Sequence, residues 1–310
     1  MHTLRIQHLA GYGLEVPDLQ VGEDFYTAYG LRSQRQGDTV QLHSQQSGPA
    51  AIVLMPGAQK RLHHLSFAVQ AQDLERFAEH LKALGTPTTT PAFAQVREGL
   101  WFQDPWGTWI NLVAVPSKAA APASTTESPP KGVTGLPRTD RHLWRELPRQ
   151  IRPNRLGHML MYTPDWEKAE AYYCQALGFR VSDRAAGKVA FLSGGEGVRD
   201  HHCFGLINGT HRGFQHGSFH VDTIDDIGFG ALQMHQAGFK EGFGPGRHAL
   251  ASNLFYYVRD PWGSWIEYYA DMDKISEDWQ AKDWNELPYI WPAWAPEFWT
   301  KEMNANFEPR

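Results

Sequence analysis

The chain has 310 residues, 42% of them apolar and 20% charged, with a formal net charge of −5. That length allows two domains, the mild charge gives no reason to expect nucleic acid or an anionic membrane as partner, and no apolar run is long enough to span a bilayer. The opening "MHTLRIQHLA" lacks the apolar core of a secretory signal, and the two cysteines, Cys174 and Cys203, lack metal-finger spacing, so reduced thiols in a cytoplasmic protein are expected.

In chain order, residues 14–31 ("LEVPDLQVGEDFYTAYGL") predict a strand, a turn at Pro17-Asp18, an amphipathic helix and a glycine stop. Residues 63–69 ("HHLSFAV") predict a strand, followed by a helix over "DLERFAEHLKALG". Residues 99–113 ("GLWFQDPWGTWINLV") predict a hairpin turning at Asp-Pro-Trp-Gly. An aperiodic stretch rich in Ala, Pro, Ser and Thr follows from residue 116, and 116–150 is read as a linker. Then the series repeats: "MYTPDWEKAEAYYCQALGF" (161–179), "QHGSFHV" (215–221) with its helix "DDIGFGALQMHQAGF", and "LFYYVRDPWGSWIEYY" (254–269). The expected fold is α+β, with two tandem domains (1–115 and 151–273), each of paired βαβββ modules forming a curved, partly closed sheet. A tail, 274–310, carries five of the twelve tryptophans and many prolines.

A duplicated chain is its own control. Glu267 stands between Ile266 and Tyr268 in a strand that reads as buried, where a carboxylate is costly unless paired, protonated or bound to a metal. Its counterpart in the first half is Asn111. Aligning the Pro-Asp turns sets His158 opposite Gly11, and His216 stands opposite His64. His220 shares a strand face with His216, but the first half keeps His64 and has Ala68 opposite His220, which favours His216. Two histidines and one carboxylate, leaving open positions, form the donor set of a non-haem Fe(II) oxygenase, and a divalent ion would stabilise Glu267 as the anion.

The segments "LGHMLMYTPD", "DHHCFGLING", "FQHGSFHVDTIDDIG" and "GPGRHALASNLFYYVRDPWGSWIEYYADMD" resemble the catalytic domain of type I extradiol ring-cleavage dioxygenases of the vicinal oxygen chelate superfamily. The first half resembles the non-catalytic N-terminal domain of that family. The resemblance implies His158, His216 and Glu267 as ligands of Fe(II), with Mn(II) as the alternative, and O2 as co-substrate. It implies His202 as the acid–base residue, with His201 as its competitor, and His248 and Tyr257 as groups beside substrate and oxygen. A neutral histidine or a tyrosinate can take the catechol proton. The resemblance also implies a small-molecule catechol substrate, meta cleavage beside the diol, and a homo-oligomer. No cluster of Arg or Lys stands ready for a substrate carboxylate. Met159, Met161, Phe191, Phe204 and Phe255, read as facing the pocket, favour a hydrophobic substituted or polycyclic catechol. The same superfamily also holds glyoxalase-type metal isomerases and binding proteins for aromatic ligands, which are the competing readings. The tail is expected to roof the site, join an interface or pack on the second domain.

Overall fold

A computed structural model describes residues 4–46, 48–115, 150–185, 187–285, 292–296 and 305–308. The linker expected over 116–150 lies outside the described residues except for Gln150.

The first half runs β1 (His8–Val16), α1 (Leu19–Ala28), β2 (Arg32–Gln36), β3 (Thr39–His43), β4 (Ile52–Pro56), β5 (Arg61–Gln70), α2 (Leu74–Ala83), β6 (Leu100–Gln103) and β7 (Trp109–Val115). The second runs β8 (Arg155–Thr163), α3 (Trp166–Leu177), β9 (Arg180–Ala185), β10 (Val189–Ser193), β11 (Arg199–Asp200), β12 (Phe204–Asn208), β13 (Gly213–His220), α4 (Ile224–Gln236), β14 (Gly242–His248), β15 (Leu254–Arg259) and β16 (Trp265–Ala270). The tail adds β17 (Lys274–Ile275), β18 (Lys282–Trp284) and β19 (Pro292–Trp294).

Local chemistry accounts for the helix ends. Asp18 caps α1 by accepting from the backbone N–H groups of Gln20 (2.8 Å) and Val21 (3.0 Å). Thr223 and Asp226 close a reciprocal capping box at the start of α4. The last turn of α3 is stopped by Gly178, whose φ of 68° is the left-handed region that glycine enters without a Cβ clash.

The two sheets share one plan. The first has order β2-β3-β4-β1-β5-β7-β6; the second contains β9-β10-β12-β8-β13-β16-β15, the same order element for element. One strand breaks the match. β14 extends the second sheet, whereas the corresponding stretch before β6 holds only a 3-10 turn at Ala94–Val96. Pro87 and Pro91 remove two donors from that stretch, while Pro245 in β14 sits at a shift of register between Phe243 and Gly246. The first half is therefore one strand short of the paired βαβββ plan. Of the three places expected for the tail, packing on the second domain fits the described tail strands: β18 and β19 extend the two opposite edges of the second sheet, with Trp284 and Ala295 against its apolar clusters.

One apolar core runs through both halves. Tyr29, just after α1, stacks on Tyr268 of β16 with ring centroids 4.0 Å apart. Its hydroxyl donates to the Glu267 carbonyl at 2.6 Å, and the Tyr268 hydroxyl donates back to the Tyr29 carbonyl at 2.7 Å. Phe25 of α1 meets Phe239 beyond α4, and the Tyr173 hydroxyl of α3 donates to Asp104 in the first Asp-Pro-Trp-Gly turn. Among the described residues, no helix is long and apolar enough to cross a membrane.

Candidate metal centre

Strand alternation sorts the second sheet into two faces. Met159, Met161, Phe204, Ile266 and Tyr268 enter the shared core, while His158, Leu160, Tyr162, Glu267 and Tyr269 alternate with them. This corrects the expectation that Met159, Met161 and Phe204 face the pocket: they are core residues behind the sheet. Of the five apolar candidates, Phe191 and Phe255 stand beside the site, Phe191 with its ring 4.6 Å from that of His202 and Phe255 with its ring 4.3 Å from that of His248.

Three neighbouring strands bring the polar side chains together. In the strand register, Ser218 of β13 lies opposite both His158 of β8 and Glu267 of β16. His158 Nε2 lies 3.0 Å and His216 Nε2 3.5 Å from Glu267 Oε2. One ligand atom from each of the three residues lies within 4.8 Å of the others, and among the described residues this is the one group of its kind. All three side chains are buried, yet His216 Nε2 and Glu267 Oε2 have no hydrogen-bond partner. Buried polar atoms without partners are expensive. Two such atoms with His158 Nε2 beside them are the arrangement a divalent ion satisfies, since donors at ~2.1 Å from an ion sit about 3 Å apart at right angles.

Gly157 makes room for this cluster. A Cβ there would meet the Tyr269 hydroxyl at 2.1 Å, and the Tyr269 ring packs 5.0 Å from the ring of His158.

The electrostatics fit. Burial pushes the Glu267 carboxyl up, but the facing His158, His216 and His248 outweigh it and hold the group well below the usual range. Burial brings His216 down to about 4 against the opposing pull of Glu267, and burial together with the neighbouring His158 lowers His202 well below its ordinary value. At neutral pH these imidazoles offer lone pairs. Burial, then the Glu267 charge, raises Tyr257 well above the usual phenol range.

The remaining expected residues gather at the same place. The Tyr257 hydroxyl lies 3.1 Å from His248 Nε2, which is itself 3.4 Å from Glu267 Oε1. The ring of His202 is 4.5 Å from that of His158. His220, the competitor of His216, instead contacts Asn154 at 3.3 Å. Arg247 is engaged with Asp271 at 2.8 Å. Cys203 is a buried free thiol, pushed up to about 12 by burial.

Two residues escaped sequence reasoning. Asn253 donates to Glu267 Oε1 at 3.4 Å, and Gln215 Oε1 contacts His216 Nδ1. Asn253 had a signal: it stands seven residues before Asp260, as Arg97 stands seven before Asp104. In the first half Arg97 fills the equivalent space. A Cβ on Gly11 would lie 2.6 Å from Arg97 Nη2; this buried guanidinium is lowered to about 10 by burial, and burial, then His63 and Arg97, depress His64.

The family model of the Glyoxalase/Bleomycin resistance protein/Dioxygenase superfamily matches residues 5–112 and 155–268. The chain is 36% identical over 300 residues to Metapyrocatechase 2 of Cupriavidus necator, covering 95% of this chain and 91% of that protein. It is 25% identical to a manganese-dependent 2,3-dihydroxybiphenyl 1,2-dioxygenase of Geobacillus genomosp. 3, covering 92% and 91%. Among solved structures, the Mn(II)-bound glyoxalase from Novosphingobium aromaticivorans superposes with a TM-score of 0.75 at 20% identity, covering 94% of this chain and 91% of that one.

Proposed function

The chain belongs to the Glyoxalase/Bleomycin resistance protein/Dioxygenase superfamily, and from that premise we propose that it is an extradiol dioxygenase, inserting both atoms of O2 into a catechol with cleavage beside the diol. The observation that carries this reading is the meeting of His158, His216 and the partnerless Oε2 of Glu267 on one buried spot. Kinship with Metapyrocatechase 2 along nearly the whole chain supports the same chemistry.

In this reading His158, His216 and Glu267 hold Fe(II), with Mn(II) the alternative that the manganese-dependent relative keeps open. When bound, the ion supplies a Lewis acid able to hold a catechol and O2 side by side and to pass charge between them. The chain does the rest. His202, neutral in its buried setting, accepts a proton from a catechol hydroxyl and returns it later in the cycle. Tyr257 and His248 offer donors to charge developing on the reacting oxygens. Phe191 and Phe255 flank these groups and exclude water, which supports a hydrophobic, substituted or polycyclic catechol. The first half, with Gly11, Arg97 and Asn111 in place of a full donor set, acts as a non-catalytic partner domain, and the tail from residue 274 belongs to neither domain in sequence. That half offers no second carboxylate for the four-ligand centre expected of a glyoxalase-type isomerase. Assembly of several copies goes with the resemblance and a cytoplasmic setting with the free thiols Cys174 and Cys203, and light scattering would count the copies.

The test is anaerobic reconstitution with Fe(II) or Mn(II), then mixing with 2,3-dihydroxybiphenyl or catechol in air, following O2 uptake and the visible spectrum. Stoichiometric O2 loss with a new yellow chromophore, abolished in Glu267→Ala and in His216→Ala, is the expected outcome. A chain that binds the ion but consumes no O2 with a panel of catechols would sink the dioxygenase reading and move weight to an isomerase or a ligand-binding role. A chain that binds neither ion would sink the triad.

A further inference from the structure

Behind His202 a chain of buried polar groups leads away from the candidate centre. His202 Nδ1 is 3.2 Å from Nδ1 of His201. His201 Nε2 is 3.0 Å from Oδ2 of Asp183, on β9. All three residues are buried. The other carboxylate oxygen, Oδ1, accepts from the backbone N–H of Lys282 at 2.8 Å, in tail strand β18, which pairs parallel to β9. The tail also braces His201: the Trp279 ring lies 5.8 Å from the His201 ring, and Trp279 Nε1 donates to the Ser182 carbonyl at 2.7 Å. The main chain of His201 is fixed twice, its N–H donating to Asp273 at 2.9 Å and its carbonyl accepting from the Ser182 hydroxyl.

We propose that Asp183 and His201 are positioning residues that fix His202 as its Nδ1–H tautomer, so that Nε2 is the atom that takes the substrate proton. The polarity follows from one end. A carboxylate oxygen only accepts, so the proton between Asp183 and His201 sits on His201 Nε2. In a neutral His201, Nδ1 is then a lone pair, and it can only accept from His202 Nδ1–H. His202 Nε2 is left with its lone pair. In the step itself, the substrate O–H bond breaks and a bond forms from that proton to Nε2. The imidazolium so formed is stabilised through His201 by Asp183 until the proton returns. The proton's use rests on the dioxygenase reading; the tautomer does not.

The duplicated half supports the grouping. Strand register sets Ile52 opposite Tyr12 and Phe204 opposite Met159, which equates Ile52 with Phe204. Counting back equates Pro49 and Ala50 with His201 and His202. Following the ladders outward equates Gln34 with Asp183. The first half thus lacks all three relay residues together, as it lacks two of the three donors. A buried hydrogen bond serving only the fold has no reason to be lost along with His202.

The test uses the full-length chain, labelled with 15N-histidine and loaded with Zn(II) as a diamagnetic probe. The two rings are assigned by the signals lost in His201→Asn and His202→Asn. The expected spectrum shows His202 protonated at Nδ1 and bare at Nε2. Asp183→Asn cannot accept from both His201 and Lys282, so it should reverse or scramble that tautomer. In the Fe(II)-loaded enzyme it should lower kcat by roughly 10- to 100-fold with KM for catechol held. If Asp183→Asn does not fold, His201→Asn, whose amide oxygen can replace Nδ1 as acceptor, should keep the His202 tautomer and more kcat than His201→Leu. A His202 protonated at Nε2 in the unmodified chain would overturn the proposal, as would an unchanged tautomer and kcat in Asp183→Asn, or equal losses in the two His201 variants. Because the tautomer is read without turnover, ring cleavage with the wrong tautomer defeats the relay alone. The right tautomer without ring cleavage supports the relay and defeats the dioxygenase reading alone.

Discussion

Glu267 is buried among apolar neighbours, with three histidines around it and one oxygen without a partner. A group so placed contributes little to the fold by itself and much to binding a cation. Glu267→Gln keeps the shape and removes the charge, so the metal-free chain should melt at a temperature equal to or above that of the parent. The rise in Tm on adding Fe(II) or Mn(II), which measures linkage between folding and binding, should vanish. A Glu267→Gln chain that melts far lower without metal, or keeps its metal-induced rise, would show that the carboxylate serves the fold. The donor set was legible because the repeat supplied a control: Gly11 and Asn111 stand where His158 and Glu267 do. Asn253 and Gln215 were not, since each acts through a contact that strand spacing does not encode. Alternation from His158 sends Met159 and Met161 to the opposite face, so their place in the core was legible too.

At the scale of elements, β8 carries the most constrained positions. It lies between β12 and β13, and its register against both decides where His158 points. Gly157 lets the Tyr269 ring cross the strand beside that histidine. Gly157→Ala places a methyl group 2.1 Å from the Tyr269 hydroxyl oxygen, so β8 or the ring must move. Overpacking of this kind costs about 1–3 kcal/mol, and here the displacement falls on a candidate ligand. Chemical denaturation should show the stability loss, and metal titration a weakened affinity. A variant with parental stability and affinity would mean that Tyr269 swings aside freely. The paired modules, the hairpin turns and most helix ends were readable from period, Pro-Asp and Gly signals. The tail strands β18 and β19 were not, because three-residue strands take their stability from the edges they join and leave almost no periodic trace.

At the scale of the whole molecule, two copies of one plan have been driven to different ends while sharing a core. Tyr29 of the first half stacks on Tyr268 and holds the Glu267 backbone, so the half without a donor set still sets the strand that carries the carboxylate. That dependence explains why a half can lose its own centre and remain. In the first half Arg97 occupies the space: its guanidinium bonds the carbonyls of Ala10 and Ala50, and a Cβ at position 11 would lie 2.6 Å from it, 2.9 Å from the Ala50 carbonyl oxygen and 3.0 Å from that of Ala51. A fixed cation there both replaces a bound ion and repels one. Gly11→His with Asn111→Glu alone should therefore leave the chain binding one ion, because Arg97 opposes the charge and makes the tightest contact with a side chain at position 11. Adding Arg97→Asn, the residue type at the equivalent position 253, should raise the metal content to two ions per chain by elemental analysis, His64 supplying the third donor. Two ions bound with Arg97 still in place would show that the guanidinium is no barrier. One ion bound in the triple variant would show that the two sheets differ in shape by more than these side chains.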